Sequence, residues 1–414
     1  MKNTLPNNTD VVINIAGFSI LLLLASSIIR VGACLYLPAL PVIGKNLGIS
    51  DAGMTLTLTV YFIVFALFSL VCGPFSDAFG RRWVILAGGA VFIVGSFICG
   101  LAQSNAHLLS GRVVQAIGAS TIPGTSRAMI RDVGTDVQVV SLMGWMAVLG
   151  ALLLVGAPVL GGIITEIAGW RYTFWFLVVF ALTVLMIMLY KIPETLPLEK
   201  RHRLSLPPVL LSYLEMMTSP KFFMVILPVV FCFAFQGAYL AAAPFIFIKG
   251  FMLSPTQFGL SNIVIVIALT GGRFITVRTV KHHSAERAYV IGAFIALSAG
   301  IFFLVIMLGG YWNLYALLAA VAFFCLGFGV LSPIGLEASL TAFRDRGGMA
   351  AALQGFLVLG GTAFGSAIIA LLMKRFPDLT PMSLLSIYSA TLSTLIFGSV
   401  LAGRNKLGRK NAAT

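Results

Sequence analysis

The sequence predicts an all-α membrane protein whose twelve transmembrane helices form two pseudo-symmetric six-helix halves. Of its 414 residues, 59% are hydrophobic and only 10% are charged, and the mean hydropathy is +1.03. A soluble domain carries roughly 25% charged residues, and so few charges could not cover this much apolar surface in water. These values exclude a soluble enzyme, a disordered chain and a secreted disulfide scaffold. A β-barrel is disfavoured because the apolar runs do not alternate with a period of two.

Twelve apolar runs are long enough to cross a hydrocarbon core of about 30 Å, which takes about 20 helical residues. The predicted spans are 13–37, 53–73, 83–101, 108–128, 138–160, 172–190, 222–244, 257–277, 288–308, 313–335, 348–372 and 383–402. A polar, charged connection at 191–221 divides an N-terminal half (1–190) from a C-terminal half with a basic tail (222–414). This arrangement is typical of secondary transporters, whose substrate site lies between the halves near mid-membrane.

Basic residues determine the predicted topology. The net charge is +14. If the N-terminus is cytoplasmic, 20 of the 27 Lys and Arg residues lie inside, 5 lie outside, and Arg30 and Arg112 fall within spans. This bias predicts cytoplasmic termini in a bacterial inner membrane, and it indicates orientation in a lipid bilayer rather than a nucleic-acid partner. We expect no metal or cofactor, because the five cysteines lie in apolar runs without C-x-x-C spacing and no Walker A motif is present.

The loop after the second span carries a recognisable motif. Residues 73–82 read G-P-F-S-D-A-F-G-R-R. This G-x-x-x-D-x-x-G-R-R pattern resembles the signature loop of the major facilitator superfamily, and the resemblance implies the major facilitator fold. In that family the loop latches the two halves together and gates the inward opening. The family usually has a basic residue after the aspartate, where this chain has Ala78, so one partner of the latch is in doubt. The implied gating residues are Gly73, Asp77, Gly80, Arg81 and Arg82.

Further motifs resemble the bicyclomycin-resistance-like branch of drug:proton antiporters in the same family. Residues 36–41 read Y-L-P-A-L-P, residues 156–162 read G-A-P-V-L-G-G and residues 169–174 read G-W-R-Y-T-F. The second of these resembles the antiporter motif, with A-P in place of the usual G-P. Small residues there allow close helix packing, and a proline bends a helix. We expect a tightly packed fifth span that resists proton leak through Gly156, Pro158, Gly161 and Gly162.

Arg112 lies in the fourth span, in a segment that resembles the family's R-x-x-Q-G-x-G element. A charge at the centre of a span costs about 2.5–3.5 kcal/mol on insertion scales, so such a residue usually faces the interior and has a partner. The resemblance implies a role in proton transfer or in ordering the cavity. The alternative is an arginine that extends to the outer membrane surface, since Arg112 is near that end of its span.

Arg30 lies inside the first span, one helical turn before Cys34. The resemblance places Cys34 where many related exporters have an aspartate, the expected proton and cation site. The first half has no carboxylate within a predicted span. A fixed guanidinium attracts anions and binds carboxylates through two parallel hydrogen bonds, so we expect Arg30 and Cys34 to face an anionic substrate. The alternative is that Arg30 pairs with an acid of the other half, for which Glu337 is the best candidate.

Glu337 is also the candidate proton carrier, because a partly buried carboxylate tends to have a raised pKa. Its alternative role is an ion pair at the cytoplasmic end with Arg273, Arg344 or Arg346. Four polar residues in second-half spans either line the substrate site or hold helices together, since polar groups in a span need partners or a cavity. These residues are Gln236, Tyr239, Asn262 and Gln354.

The predicted function is proton-linked export of a small organic molecule by a monomeric carrier whose halves rock about a central site. An anionic metabolite such as a carboxylate siderophore is the favoured substrate. The motifs favour export, while the arginine and the missing aspartate favour an anion. The alternatives are a broad-specificity multidrug exporter, an anion uptake carrier, and a transporter-like sensor or assembly factor that moves nothing.

Overall fold

A computed structural model describes residues 15–201, 206–343 and 346–407, and every regular element in these ranges is helical. The first half consists of α1 (Ile15–Cys34), α2 (Leu40–Leu47), α3 (Asp51–Phe79), α4 (Arg81–Gly100), α5 (Asn105–Val133), α6 (Asp136–Ile167) and α7 (Arg171–Lys191). A connecting helix, α8 (Leu206–Thr218), follows. The second half consists of α9 (Pro220–Pro244), α10 (Pro255–Ser261), α11 (Ile263–His282), α12 (Ala285–Leu308), α13 (Leu314–Thr341), α14 (Gly347–Arg375) and α15 (Pro381–Leu407).

The predicted all-α bundle is confirmed. The pairs α1–α2 and α10–α11 each form one apolar segment, and a π-helical turn at Phe245–Gly250 extends α9. Within the described ranges, eleven segments are long and apolar enough to cross a membrane. The helix missing from that set is α5, which contains the predicted fourth span 108–128. It is a 29-residue helix, but its buried face carries Arg112, Gln115, Thr125 and Ser126, so neighbouring helices shield it from lipid.

Glycine allows helices to pack with their backbones in contact. Side chains at Gly118 and Gly95 would meet the backbones of Phe92 and Gln115, which explains how α4 and α5 pack so closely. In the second half, a side chain at Gly365 of α14 would collide with the Ala234 carbonyl of α9. Helix association in lipid depends on such close contacts, because no hydrophobic force drives helices together there.

The two halves meet on the side of the bundle that carries α2 and the start of α10, which we call the sealed side. Four polar contacts join the halves there. Lys249 Nζ lies 2.5 Å from Asp51 Oδ1, and the Thr256 amide donates to Glu166 Oε1 at 2.8 Å. Deeper in the bundle, Thr59 and Ser366 hydroxyls lie 2.8 Å apart, and the Thr55 hydroxyl lies 3.9 Å from the Met373 sulfur. The other side, which carries the α3–α4 turn and the start of α14, we call the terminus side.

The connecting helix α8 contacts both halves on the terminus side. The Tyr213 hydroxyl donates to the Leu70 carbonyl of α3 at 3.0 Å, and Glu215 forms a 2.7 Å ion pair with Arg346 next to α14. Burial raises the pKa of Tyr213 to about 12, so the phenol keeps its proton across the physiological pH range. The helix is therefore an attached part of the fold and not a loose spacer.

We expect Gly365→Val to destabilise the protein and Gly360→Val to be tolerated. Both positions lie on α14, so the helix-propensity change is the same, but Gly360 has nothing within 4 Å of its missing Cβ. Overpacking typically costs about 1–3 kcal/mol, so Gly365→Val should lower the unfolding temperature in detergent by several degrees more than Gly360→Val. Equal unfolding temperatures would show that the α9–α14 contact does not limit stability.

Candidate functional site

Arg30 faces the space between the two halves. It lies on α1 and its side chain is exposed. A methyl group at Gly150 of α6 would lie 3.5 Å from its Nε atom, and its charge acts on Arg273 of α11, in the other half. Within residues 15–201, 206–343 and 346–407, Arg30 has no ion pair and no side-chain hydrogen bond, and an ion pair with Glu337 is not formed.

Three of the predicted substrate residues line one narrow cleft. Gln236 and Tyr239 come from α9, and Asn262 lies where α10 meets α11. The cleft has about 20 Å³ of free volume in this state, which is room for one or two water molecules. Its apolar lining comes from both halves: Leu154, Phe235, Leu240, Ile265, Leu269, Cys325 and Phe328.

Polar groups in this cleft are available to a ligand. The Tyr239 hydroxyl is buried and has no hydrogen-bond partner among the described residues. The Asn262 amide nitrogen donates to the Phe258 carbonyl at 3.0 Å, which orients the side chain. An aromatic wall with a few fixed polar groups is the usual composition of a small-molecule site.

Arg112 is completely buried, so the interpretation as an arginine that extends to the membrane surface is wrong. Its guanidinium carbon lies 4.1 Å from the ring centres of both Tyr36 and Tyr61. One of its nitrogens donates to the Gly32 carbonyl at 3.3 Å and to the Gln115 side chain. The rings compensate the charge through cation–π attraction, which takes the place of a carboxylate partner in the described part of the chain.

Three polar groups of this buried cluster have no hydrogen-bond partner among the described residues. Arg112 Nε and Nη2 have no partner among the described residues, and the Tyr61 hydroxyl is also unpaired. Cys34 is buried and lies where the charges of both Arg30 and Arg112 act on it. The structure thus places Cys34 inside the first half, between the two arginines, whereas Arg30 is exposed between the halves.

Glu337 and Gln354 lie outside the cleft. Glu337 is exposed on α13, not partly buried, and it forms no ion pair with a described residue. Arg346, one of its expected partners, pairs with Glu215, and Arg344 lies outside the described residues. The Gln354 amide donates to the Leu336 carbonyl at 2.6 Å and to Ser339 at 2.8 Å, so it joins α14 to α13 within the second half.

Residues 73–82, predicted as a loop, are instead the end of α3, a turn at Gly80 and the start of α4, and they form a polar network with Asp132 of α5 and Glu194 of the linker. Arg81 forms ion pairs with Asp77, one turn before it, and with Asp132, at 3.3 Å. The Arg81 backbone amide donates to Glu194 Oε1 at 2.9 Å, which provides the negative charge that a helix N-terminus favours. Gly80 has a positive φ of 97° and no room for a side chain beside Glu194, so glycine is required at this turn. Arg82 also contacts this network, donating to the Leu189 carbonyl at 2.7 Å.

The predicted gating glycines of α6 have different surroundings. A Cβ at Gly162 would lie 2.6 Å from the backbone of Pro255 in the other half, and one at Gly161 would collide with the Leu35 carbonyl of α1. A Cβ added at Gly156 would have no neighbouring atom within 4 Å, and the same holds for Gly73 near the end of α3. Pro158 lies within the continuous helix, next to the contact that Gly259 of α10 makes with α6. The sealed side is therefore a backbone-to-backbone contact.

In the described part of the chain, eleven long apolar segments and the more polar helix α5 form two halves that meet on the sealed side, which is the architecture of a membrane carrier and not of an enzyme. Residues 22–366 match the Major Facilitator Superfamily, so the chain belongs to that family. It is 27% identical over 368 residues to the MFS-type transporter YdgK of Bacillus subtilis (strain 168), covering 88% of this chain and 90% of YdgK. It is 32% identical to the multidrug resistance protein MdtL of Escherichia coli O81 (strain ED1a) over 166 residues, 40% of this chain and 42% of MdtL.

Solved structures share the fold. The human organic anion transporter MFSD10 superposes with a TM-score of 0.69 at 19% identity, covering 94% of this chain and 99% of its own. The D-xylose-proton symporter superposes with a TM-score of 0.71 at 15% identity, covering 92% and 97%. At these identities the likeness concerns the fold.

Several residues of these sites lie outside the predicted set. The aromatic residues Tyr61, Phe235 and Phe328 occur in helices where aromatics are common, so composition gives no signal for them. The sequence gives no signal for Leu154 either, because its contact with the cleft depends on how α6 packs against the other half. Tyr36 lies within the Y-L-P-A-L-P motif, and Gln115 lies three residues after Arg112, which are the two available signals.

We expect Gly162→Leu to push α6 and α10 apart on the sealed side, because a side chain at this position would collide with the Pro255 backbone. The two helices should then move towards the ~8–10 Å interaxial distance of ordinary helix pairs. Spin labels at Lys45→Cys and Met252→Cys, both exposed on the sealed side in opposite halves, should report a longer distance. Gly156→Leu on the same helix is the control and should leave it unchanged. An unchanged distance in Gly162→Leu would disprove the backbone seal.

We expect Arg112→Lys to destabilise the protein although it keeps the charge. An ammonium group cannot stack flat between Tyr36 and Tyr61, and each lost cation–π contact is worth about 1–2 kcal/mol when desolvated. Thermal unfolding in detergent measures the loss. Arg171→Lys is the matched control, because Arg171 stacks on one ring, Trp170, at 4.2 Å and is only half-buried. If the two variants lose the same stability, stacking between two rings, Tyr36 and Tyr61, stabilises the protein no more than stacking on one ring.

Proposed function

We propose that this carrier exports a small organic anion, a carboxylate siderophore among the candidates, by alternating access between its two halves. The observation that supports an anion is the position of Arg30, which is exposed between the halves without an acidic partner in the described ranges. A guanidinium in a partly desolvated space attracts anions, repels cations and matches the geometry of a carboxylate.

The surrounding charges support the same proposal. Among the described acidic side chains, none is buried. Buried carboxylates are what a site for lipophilic cations would need, since a cation in a low-dielectric cavity requires a negative partner. The aromatic and amide groups of the cleft would bind the uncharged part of the substrate.

The proposed orientation has both termini in the cytoplasm of a bacterial inner membrane, because Lys and Arg are concentrated on that side. The seal would then lie on the periplasmic side, and the substrate would enter from the cytoplasm. The proposed driving force is the proton gradient, as the resemblance of residues 156–162 to the antiporter motif suggests. Arg112 and Glu337 remain the proposed proton-coupling residues, but Glu337 is exposed, so its proposed role no longer rests on burial.

A second candidate is a broad-specificity drug exporter. This function is favoured by the similarity to MdtL, a multidrug resistance protein, which extends over 40% of the chain. In that case lipophilic cations would be exported and the charge of Arg30 would be dispensable. The two functions therefore make opposite predictions for one substitution.

We expect Arg30→Gln to reduce the rate of substrate export by about tenfold or more, because the substitution removes a charge-assisted hydrogen bond to the substrate. Extracts and media of cells that produce the wild type, Arg30→Gln or no carrier are compared by untargeted mass spectrometry. Arg375→Gln, at an exposed helix end, is the control with the same change in net charge. We expect an acidic compound outside the wild-type and Arg375→Gln cells and inside the other two.

Loss of tolerance to cationic dyes in cells without the carrier, with tolerance unaffected by Arg30→Gln, would favour the drug exporter. Acidic compounds that enter faster than they leave would indicate uptake. Absence of any difference between cells with and without the carrier would favour a protein that transports nothing.

A further inference from the structure

Arg273 lies on the face of α11 that lines the cleft. Asn262, Ile265 and Leu269 line the cleft from this helix, and the spacing 262, 265, 269, 273 follows the helical repeat. Arg273 is therefore one turn beyond Leu269, towards the terminus side. Its side chain is exposed and has no ion pair or side-chain hydrogen bond with the described residues.

Arg30 reaches the same place from the first half. Its guanidinium lies beside Gly150, and Leu154, one turn further along α6, lines the cleft. Helices α6 and α11 also contact each other directly. Arg30, beside Gly150, and Arg273 thus both lie one turn from the cleft on two helices that contact each other, and like charges placed there repel.

No acidic side chain offsets this repulsion in the described part of the chain. Glu337, the acid that the sequence suggested as a partner for Arg30, is exposed and forms no ion pair with a described residue. The acids that do form ion pairs lie near helix ends or in the linker. Two like charges that face each other from two bodies need a ligand of the opposite charge between them. A single carboxylate neutralises one guanidinium and leaves the other unmatched.

We propose that the substrate is an organic dicarboxylate, with one carboxylate bound by Arg30 and the other by Arg273, and with an aromatic or apolar body in the cleft. The cleft has to widen from its present volume of about 20 Å³ to take such a body. It offers the rings of Phe235, Phe328 and Tyr239, and the Tyr239 hydroxyl, which has no partner among the described residues, for a hydrogen bond. This proposal rests on the proposed function and adds the number of charges, the second arginine and the chemistry of the body. Each half supplies one arginine, so the bound dianion holds the halves together.

The test uses the full-length carrier in lipid nanodiscs and compares binding of matched ligands by isothermal titration calorimetry. The probes are isophthalate, which has two carboxylates, benzoate, which has one, and benzylammonium, which is a cation of similar size. A panel of aliphatic dicarboxylates with matched monocarboxylates covers other body shapes. We expect the wild type to bind its best dicarboxylate about tenfold more tightly than the matched monocarboxylate, since each Arg–carboxylate pair is a strong bidentate contact.

Arg273→Gln should reduce this preference to about twofold or less, because the second carboxylate loses its partner, while monocarboxylate affinity stays within about twofold. Arg273→Lys keeps the charge but not the planar fork, so an intermediate preference is expected. Arg278→Gln is the control, because it removes an equal charge five residues along the same helix, on a different face. Circular dichroism checks that each variant is folded.

The outcomes separate this proposal from the one on which it rests. If monocarboxylates bind through Arg30 and the second carboxylate adds no affinity, or if Arg273→Gln leaves the preference intact, the two-arginine site is disproved and the anion carrier stands. If benzylammonium binds more tightly than every carboxylate and Arg30→Gln weakens none, the anion carrier itself is disproved. Failure of all dicarboxylates to bind, with any monocarboxylate bound, also counts against two-point binding.

Discussion

A cation inside a membrane protein has to be compensated by its neighbours or left in contact with water, and that constraint shapes the inner surface of this carrier. Arg112 shows the first solution, since two tyrosine rings and a backbone carbonyl surround it completely. Arg30 shows the second, because it stays exposed between the halves. Cys34 lies one helical turn from Arg30, and a thiol there supplies no negative charge to offset either arginine. Arg112 is thus enclosed within the first half with two of its nitrogens still unpaired among the described residues, whereas Arg30 is exposed and available for binding.

Close contact between backbones holds the rest of the bundle together. Glycines at the crossings of α4 with α5 and of α9 with α14 stabilise each half, and Gly162 and Gly259 form the contact between the halves. Close backbone contact at a glycine therefore occurs both within a half and between the halves. The buried apolar core includes residues of both halves, and polar pairs such as Asp51–Lys249 join the halves on the sealed side.

Hydropathy predicted the membrane spans, because lipid allows few other structures, but it did not distinguish α5 as the polar member of the set and did not reveal α8 within the connection 191–221. The rule that polar groups in a span need a partner or a cavity singled out Gln236 and Tyr239, and the structure brings both to one cleft. The same rule singled out Gln354, which instead bonds to Leu336 within the second half. Polarity within a span shows that a residue faces inward, but it cannot distinguish the interior of a half from the space between halves. Partners such as Tyr61 and Arg273 depend on how distant helices cross, which no local pattern records.

The connecting helix α8 limits how far the two bodies can travel. Tyr213 fastens it to α3 through Leu70, while Glu215 fastens it to the start of α14 through Arg346. Any stroke that pulls α3 away from the start of α14 must therefore break one of these attachments. The ion pair is the more exposed of the two, and water and salt weaken exposed ion pairs, so it is the weaker link. Ionic strength on that side of the membrane would then affect how far α3 can move away from the start of α14.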